Sequence, residues 1–313
     1  MGKGIALKVG ATFVFALMSA LIKLASARFP VGEVVLFRSV FALVTLLGWL
    51  KWRGEFPHAL ATQRPLGHIG RSLAGTGGMY SNFASLSLLP LADATAFTFA
   101  APLMVVPLAA LALGEAVRPY RWGAVGVGFI GVTVMLSDHL GGESAARALG
   151  STIALGGAGF TALAMIQTRR LARSEATGAI VFYFTCVTTA VATLSLAAAA
   201  LWPANAPGAA FAVSQRFALP HPGEAAALVA IGVFGGVGQI LMTHAYRYAD
   251  ASVIAAFDYV AMIWAASLGW LLFAETPTPR VWIGVAVVAS AGVYVVWRVR
   301  RLHRAPAVEV TVG

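Results

Sequence analysis

The chain has 313 residues, 59% of them hydrophobic and 11% charged, and its mean hydropathy is +0.81. Soluble proteins carry about 25% charged residues, so this composition excludes a chain that covers itself with polar surface. A lone cysteine, Cys186, excludes an intramolecular disulfide and a thiolate metal cluster, and the net charge of +10 is first a question of membrane topology rather than of nucleic-acid binding.

Apolar runs near the ~20 residues that cross a bilayer as helix recur along the whole length. In chain order they predict ten spans, about 4–27, 31–50, 66–89, 91–113, 120–137, 148–170, 177–202, 225–248, 250–273 and 280–298. Turn and breaker residues separate them: Phe29-Pro30, Pro57, Pro65, Pro90, Arg118-Pro119, Gly141-Gly142, Pro203/Pro207, Pro220/Pro222 and Pro277/Pro279. The first span ends in Ala25-Ser26-Ala27, which mimics a signal-peptidase site, but Lys23 interrupts the apolar region just before it. If the N-terminus is cytoplasmic, sixteen of the 22 Lys and Arg fall in inner segments and four (Arg28, Arg147, Arg216, Arg280) in outer ones. Lys23 and Arg38 are counted within spans. This bias predicts N-terminus and C-terminus inside, with residues 299–313 a basic cytoplasmic tail.

The third and eighth spans match without a gap. Gly75, Gly78, Asn82 and Ala92-Asp93-Ala94 meet Gly232, Gly235, Gln239 and Ala249-Asp250-Ala251. Glu115, Pro119 and Trp122 then meet Glu275, Pro279 and Trp282. Each half holds five spans, an odd number, so the second copy enters the membrane inverted. The fold class expected is an all-α membrane protein of ten transmembrane helices in two inverted five-helix repeats, residues 1–138 and 139–298. Inverted repeats are the architecture of secondary transporters, with the substrate near the midplane at the repeat interface.

Ten spans in two copies, Arg38 in the second span, and the small-residue runs into "LGE" (113–115) and "FAE" (273–275) resemble the EamA-type drug/metabolite transporters. The resemblance covers about residues 5–137 and 148–298. It implies export of amino acids, aromatic or apolar ones among them, or of related metabolites by alternating access, in a bacterial-type cell inner membrane. Efflux of drugs or organic cations is the alternative; an intramembrane enzyme or receptor is the alternative of another class. The second copy departs from the pattern, with Asp258-Tyr259 where the first has Pro102.

Gly75, Gly78 and Asn82 share one helix face, as do Gly232, Gly235 and Gln239. Small residues let helices approach, and an amide can hydrogen-bond across them; the alternative is that Asn82 and Gln239 line a central cavity. Tyr80 and Thr98 are further cavity candidates. Asp258 lies about 12 Å into the ninth span if that span is helical from Asp250, on a face with Ala251, Ala255, Met262, Ala265 and Gly269. An intramembrane carboxylate costs several kcal/mol unless paired or hydrated. Asp258 is open to three readings: pairing with Lys23 or Arg38, binding a substrate ammonium, or carrying a coupling proton. Phe97, Phe99, Tyr183, Tyr259 and Trp264 are placed at similar depth and suit either core or cavity.

Gly126-x-Gly128-x-x-Gly131 matches a dinucleotide fingerprint as a string, but within a span and without a preceding strand. No Walker motif is present, and the six histidines have no metal-ligand spacing. No cofactor, metal, catalytic residue or nucleic-acid partner is therefore called for. The expected partners are a small-molecule substrate and the bilayer, with a proton or an exchanged solute as coupling, in a monomer or weak dimer.

Overall fold

The computed structural model describes residues 2–113, 119–140, 145–172, 174–203, 209–248 and 255–304. Its helices are α1 (Gly2–Ala25), α2 (Val31–Trp52), α3 (Pro65–Leu88), α4 (Leu91–Thr98), α5 (Ala100–Leu113) and α6 (Pro119–Leu140). The second half holds α7 (Ala145–Leu171), α8 (Thr177–Leu201), the short α9 (Ala209–Ser214), α10 (Pro222–Tyr248), α11 (Val260–Phe273) and α12 (Pro279–Arg304). Prolines set many of the starts. Pro65, Pro119, Pro222 and Pro279 each occupy a first helical position, where the missing N–H would have no intrahelical partner. Leu89, extended ahead of Pro90, ends α3.

Among the described residues the helices form ten segments, here called crossings, the fourth formed by α4 and α5 and the ninth by a 3-10 turn, Ala255–Tyr259, followed by α11. The break after Thr98 has a covalent cause: Pro102 has no N–H to return to the Thr98 carbonyl. The expected single fourth helix, 91–113, is thus two. The α-helical continuation of the ninth crossing through Asp258 is replaced by a 3-10 turn, in which Ala255 and Asp258 still share a face. Met262, Ala265 and Gly269 are buried on α11. Glu115, Ala249, Asp250, Ala251, the Gly141-Gly142 loop, Pro207 and residues 305–313 lie outside the described residues.

Packing follows an exchange rule. The third crossing packs on the sixth and the eighth on the first. The second packs on the eighth and the third on the seventh; the fourth on the sixth and the ninth on the first. The second on the seventh and the fifth on the tenth map onto themselves. Adding or subtracting five converts each of these pairs into another or into itself, as a pseudo-two-fold would, although the lighter contacts of α1 with α3 and of α6 with α7 have no such counterpart among the described residues.

Small residues make these approaches close. A Cβ on Gly78 would stand 2.7 Å from Thr161 Oγ1, and one on Gly157 2.7 Å from Ser81 Cβ, so α3 and α7 meet almost backbone to backbone. The glycines at 75, 78, 232 and 235 all face helix contacts, against Phe184, Thr161, Phe41 and Arg38. The third crossing carries several polar residues and is turned for lipid: Ser72, Thr76 and Ser85 are buried while Leu66, Ile69 and Leu73 are exposed. Thr76 and Thr188 bridge α3 and α8 through their hydroxyls at 2.7 Å.

Candidate functional site

The two ends of the bundle differ. The end carrying Lys3, Lys51, Arg53 and Arg64, here the basic end, contains a cleft; the opposite end is tied shut. There Lys23 on α1 donates to Leu89 O at 2.5 Å and pairs with Glu275 at 2.9 Å. The second Glu275 oxygen accepts the Leu91 N–H at 3.0 Å, so one carboxylate joins α1, α4 and the end of the ninth crossing. Ala274 makes this geometry by taking a left-handed conformation, φ 54°, which stops α11 and turns Glu275 back. Nearby, the fully buried Glu33 at the start of α2 accepts the Ala218 N–H at 2.9 Å. Arg28 pairs with Glu224, and Tyr80 and Ser195 hydroxyls join α3 to α8 at 3.0 Å.

At the basic end a cleft of about 180 Å³ lies between α2, α8 and α10. Trp49, Glu55, Thr177, Gln239 and His244 are among its lining residues. It continues inward, sharing Leu46, Val181, Gln239 and Ile240, into a narrower space of about 20 Å³ bounded by Arg38, Phe184, Thr185, Gly235 and Gly236. Small residues on α10 make this depth available, since Gly235 and Gly236 leave α2 room at Arg38 and Thr45. Arg38 marks the blind end. It is 8% exposed, its Nε has no hydrogen-bond partner, and no carboxylate of the described residues lies in ion-pair reach. Its guanidinium carbon lies 5.9 Å from the centre of the Phe184 ring, and that of Arg71 on α3 lies 4.4 Å from the same ring. A guanidinium beside an aromatic ring, with an amide at Gln239, can hold an oxyanion and cover an apolar group.

The candidate residues distribute unequally over this geometry. Gln239 and Arg38 line the cleft. Asn82, half-buried on α3, has its backbone N–H beside Gly157 of α7 and is not among the cleft's lining residues. Tyr80 serves the closed end. Thr98 is exposed, and its hydroxyl donates back to the Thr95 carbonyl at 2.7 Å next to the break. Tyr259 packs on Phe99 with ring centres 5.0 Å apart, which brings the breaks of the fourth and ninth crossings together. Phe97 is core, Tyr183 packs on His68, and Trp264 on Phe13.

The partner of Asp258 is neither Lys23 nor Arg38. Lys8, fully buried on α1, stands 2.5 Å from Asp258 Oδ1 and donates to Met242 Sδ at 2.9 Å. Lys23 is occupied by Glu275, which leaves α1 pinned to the ninth crossing by one lysine near each end. Lys8, Arg71 and Phe184 are the residues that sequence reasoning missed. Both cations fall inside the expected spans but close to their ends, where basic residues ordinarily report topology. Phe184 is one of 18 phenylalanines, and nothing in the sequence singles it out.

One further cluster lies in the chain just before Ala176 and Thr177 of the cleft's lining. Glu175, between α7 and α8, accepts the Gln63 N–H at 3.1 Å and lies 3.3 Å from His68 Nε2, both side chains 1% exposed. Burial raises the Glu175 pKa, but hydrogen bonds from Gln63, Thr62 and His68, with the His68 charge, together bring it below the ordinary carboxylate range.

An all-helical bundle of ten crossings, with polar and charged groups turned inward around a one-ended cleft, defines a multi-pass membrane transporter. More closely, the chain belongs to the EamA-like transporter family, whose profile matches residues 2–137 and 148–298. It is similar to a pseudopaline exporter of Pseudomonas aeruginosa, 31% identical over 275 residues that cover 88% of this chain and 89% of the relative. A riboflavin transporter of Rhizobium johnstonii is 27% identical over 279 residues, 89% and 85% of the two chains. An S-adenosylmethionine uptake transporter of Rickettsia prowazekii is 27% identical over 265 residues, 85% and 82% of the two. A crystal structure superposes with a TM-score of 0.63 at 19% identity, over 96% of this chain and 99% of the other, which establishes the shared fold. The protein is thus a small-molecule transporter and not an enzyme.

Proposed function

We propose that this chain is a secondary transporter that exports small carboxylate-bearing metabolites, amino acids with aromatic or apolar side chains foremost, across a bacterial-type inner membrane. The observation that carries the reading is the cleft that leads from the basic end to Arg38 while carboxylate ties close the opposite end. Alternating access needs one end open and the other shut around a site deep in the membrane. The positive-inside bias makes the basic end cytoplasmic, with both termini inside, so the cleft faces the side from which an exporter loads. In this reading residues 1–138 and 139–298 are the two five-crossing units, the second inverted. A guanidinium and the Gln239 amide suit a carboxylate, and Phe184 and Trp49 suit an apolar or aromatic group. A hydrophobic cation, the cargo of drug efflux, would instead meet an unpaired positive charge at the blind end.

The test is release from membrane vesicles loaded with labelled tryptophan, leucine or their 2-oxo acids. Vesicles containing the chain should lose at least one of these carboxylates faster than vesicles without it. Equal release of all of them, with faster release of a hydrophobic cation, would favour drug efflux instead.

A further inference from the structure

The chain treats its intramembrane lysines and arginines differently. Lys8 and Lys23 each meet a carboxylate, Asp258 and Glu275. Arg38 and Arg71 meet none among the described residues. Arg38 Nε and Arg71 Nη1 are both buried without a hydrogen-bond partner, and both guanidinium groups stand beside Phe184, which lines the inner cleft; Arg71 itself is behind that lining. Arg71 has one polar contact, from its Nε to Thr168 Oγ1 at 3.1 Å. A guanidinium cannot escape burial by losing its proton, and a buried cation without a counter-charge is strongly unfavourable. Two such cations at one ring leave the inner cleft with a standing positive charge that no side chain described in the protein offsets.

We infer that the missing counter-charge is supplied by the cargo, so the site selects solutes whose net charge is negative, with a carboxylate on Arg38. The inference rests on the carrier reading above and changes the order of preference within it, with net anions ahead of zwitterionic amino acids. A zwitterionic amino acid brings a carboxylate but also an ammonium, and so leaves the excess positive charge in place. The ammonium has no unpaired acid to meet there: Glu55, the carboxylate in the outer lining, pairs with Arg53, and Asp258 lies outside the cleft's lining and is held by Lys8. An anion of the same shape, with a planar carboxylate for the guanidinium fork and an apolar group for Phe184, reduces the excess directly. Arg71 lies on the ring's other contact and acts on the same charge from farther out, which suits a second acidic group.

Four solutes with one phenyl ring separate the charge from the shape: phenylpyruvate and N-acetylphenylalanine (net negative), phenylalanine (net zero) and phenethylamine (net positive). Counterflow into vesicles containing the purified full chain should be faster for the two anions than for phenylalanine by about tenfold or more, the factor that one well-placed charge-assisted contact provides. In Arg38→Gln that ratio should fall towards one, and in Arg71→Gln it should narrow. Arg38→Lys keeps the charge without the fork and should keep the preference at weaker affinity. N-acetylphenylalanine should also raise the unfolding temperature of the unaltered protein more than phenylalanine does, a reading that holds even if Arg38→Gln does not fold. Phenylalanine moving as fast as the anions, or an anion preference that survives Arg38→Gln in a monodisperse sample, would overturn the inference and leave the carrier reading standing. If none of the four moves, the reading of aromatic carboxylates as cargo falls and the inference with it.

Discussion

Asp258→Asn removes the carboxylate that stands 2.5 Å from the Lys8 ammonium while keeping its size. Lys8 is then left fully buried with a thioether, Met242 Sδ, as its remaining acceptor. Breaking a buried ion pair from one side costs about 3–5 kcal/mol, whereas exposed pairs contribute about 0–1 kcal/mol. This pair is between the two, because the Asp258 side chain is 43% exposed and that of Lys8 0%. Water screens the carboxylate but cannot reach the ammonium, so the expected loss is about 1–3 kcal/mol. The assay is thermal unfolding of the detergent-purified protein for Asp258→Asn, Lys8→Met and the double variant. Lys8→Met should recover most of what Asp258→Asn loses, because it deletes the stranded charge, and the two changes should be strongly non-additive. An unfolding temperature unmoved by Asp258→Asn, or losses that simply add in the double variant, would refute the pairing. Transport read on the same samples separates fold from cycle. A stable variant that keeps counterflow but loses pH-driven accumulation would give the carboxylate a second role as proton carrier.

The topology predicts that, in a Cys186→Ser background, a cysteine placed in the 203–223 segment reacts with an impermeant thiol reagent applied from outside intact cells. One placed at 51–65 should not react. Gln239→Leu removes the amide from the cleft and should lower transport by about tenfold, the scale of one lost hydrogen bond to a charged group; Asn82→Leu, at the α3–α7 contact, should affect stability more than transport. Glu175 has a pKa below that of an unfolded glutamate, so the tie it makes stabilises the fold fully above the unfolded value and is lost as pH falls through the lowered one. Glu175→Gln should flatten the acid limb of a stability-against-pH curve, and an unchanged limb would show that this contact is not linked to folding.

The ten crossings were legible because hydropathy and proline punctuation are local signals: the expected 31–50 and 177–202 compare with Val31–Trp52 and Thr177–Leu201. The repeat was read from spaced matches, and the larger helix contacts fit the exchange it implies. The breaks in the fourth and ninth crossings were not read. Pro102 was visible, but a proline in a span is often accommodated, and the turn at Asp258 depends on its surroundings. The partners of the charges were illegible for a similar reason. Lys8 and Asp258 are 250 positions apart, and only the packing of α1 along the ninth crossing brings them together. Gln239 and Arg38 line the cleft, whereas Tyr80 and Asn82 do not, because sequence periodicity fixes which residues share a face but not which helix that face meets.

The central claim, that the cleft carries small carboxylates, is tested most directly by counterflow in vesicles reconstituted with the pure protein. Unlabelled solute is trapped inside and labelled solute is offered outside, across a panel of aromatic and apolar amino acids, their 2-oxo and N-acyl derivatives, and hydrophobic cations. The account predicts a transient accumulation of label for carboxylates that depends on the protein, is reduced in Gln239→Leu, and is absent for the cations. Accumulation of the cations alone, or of carboxylates at the same rate in empty vesicles, would contradict it.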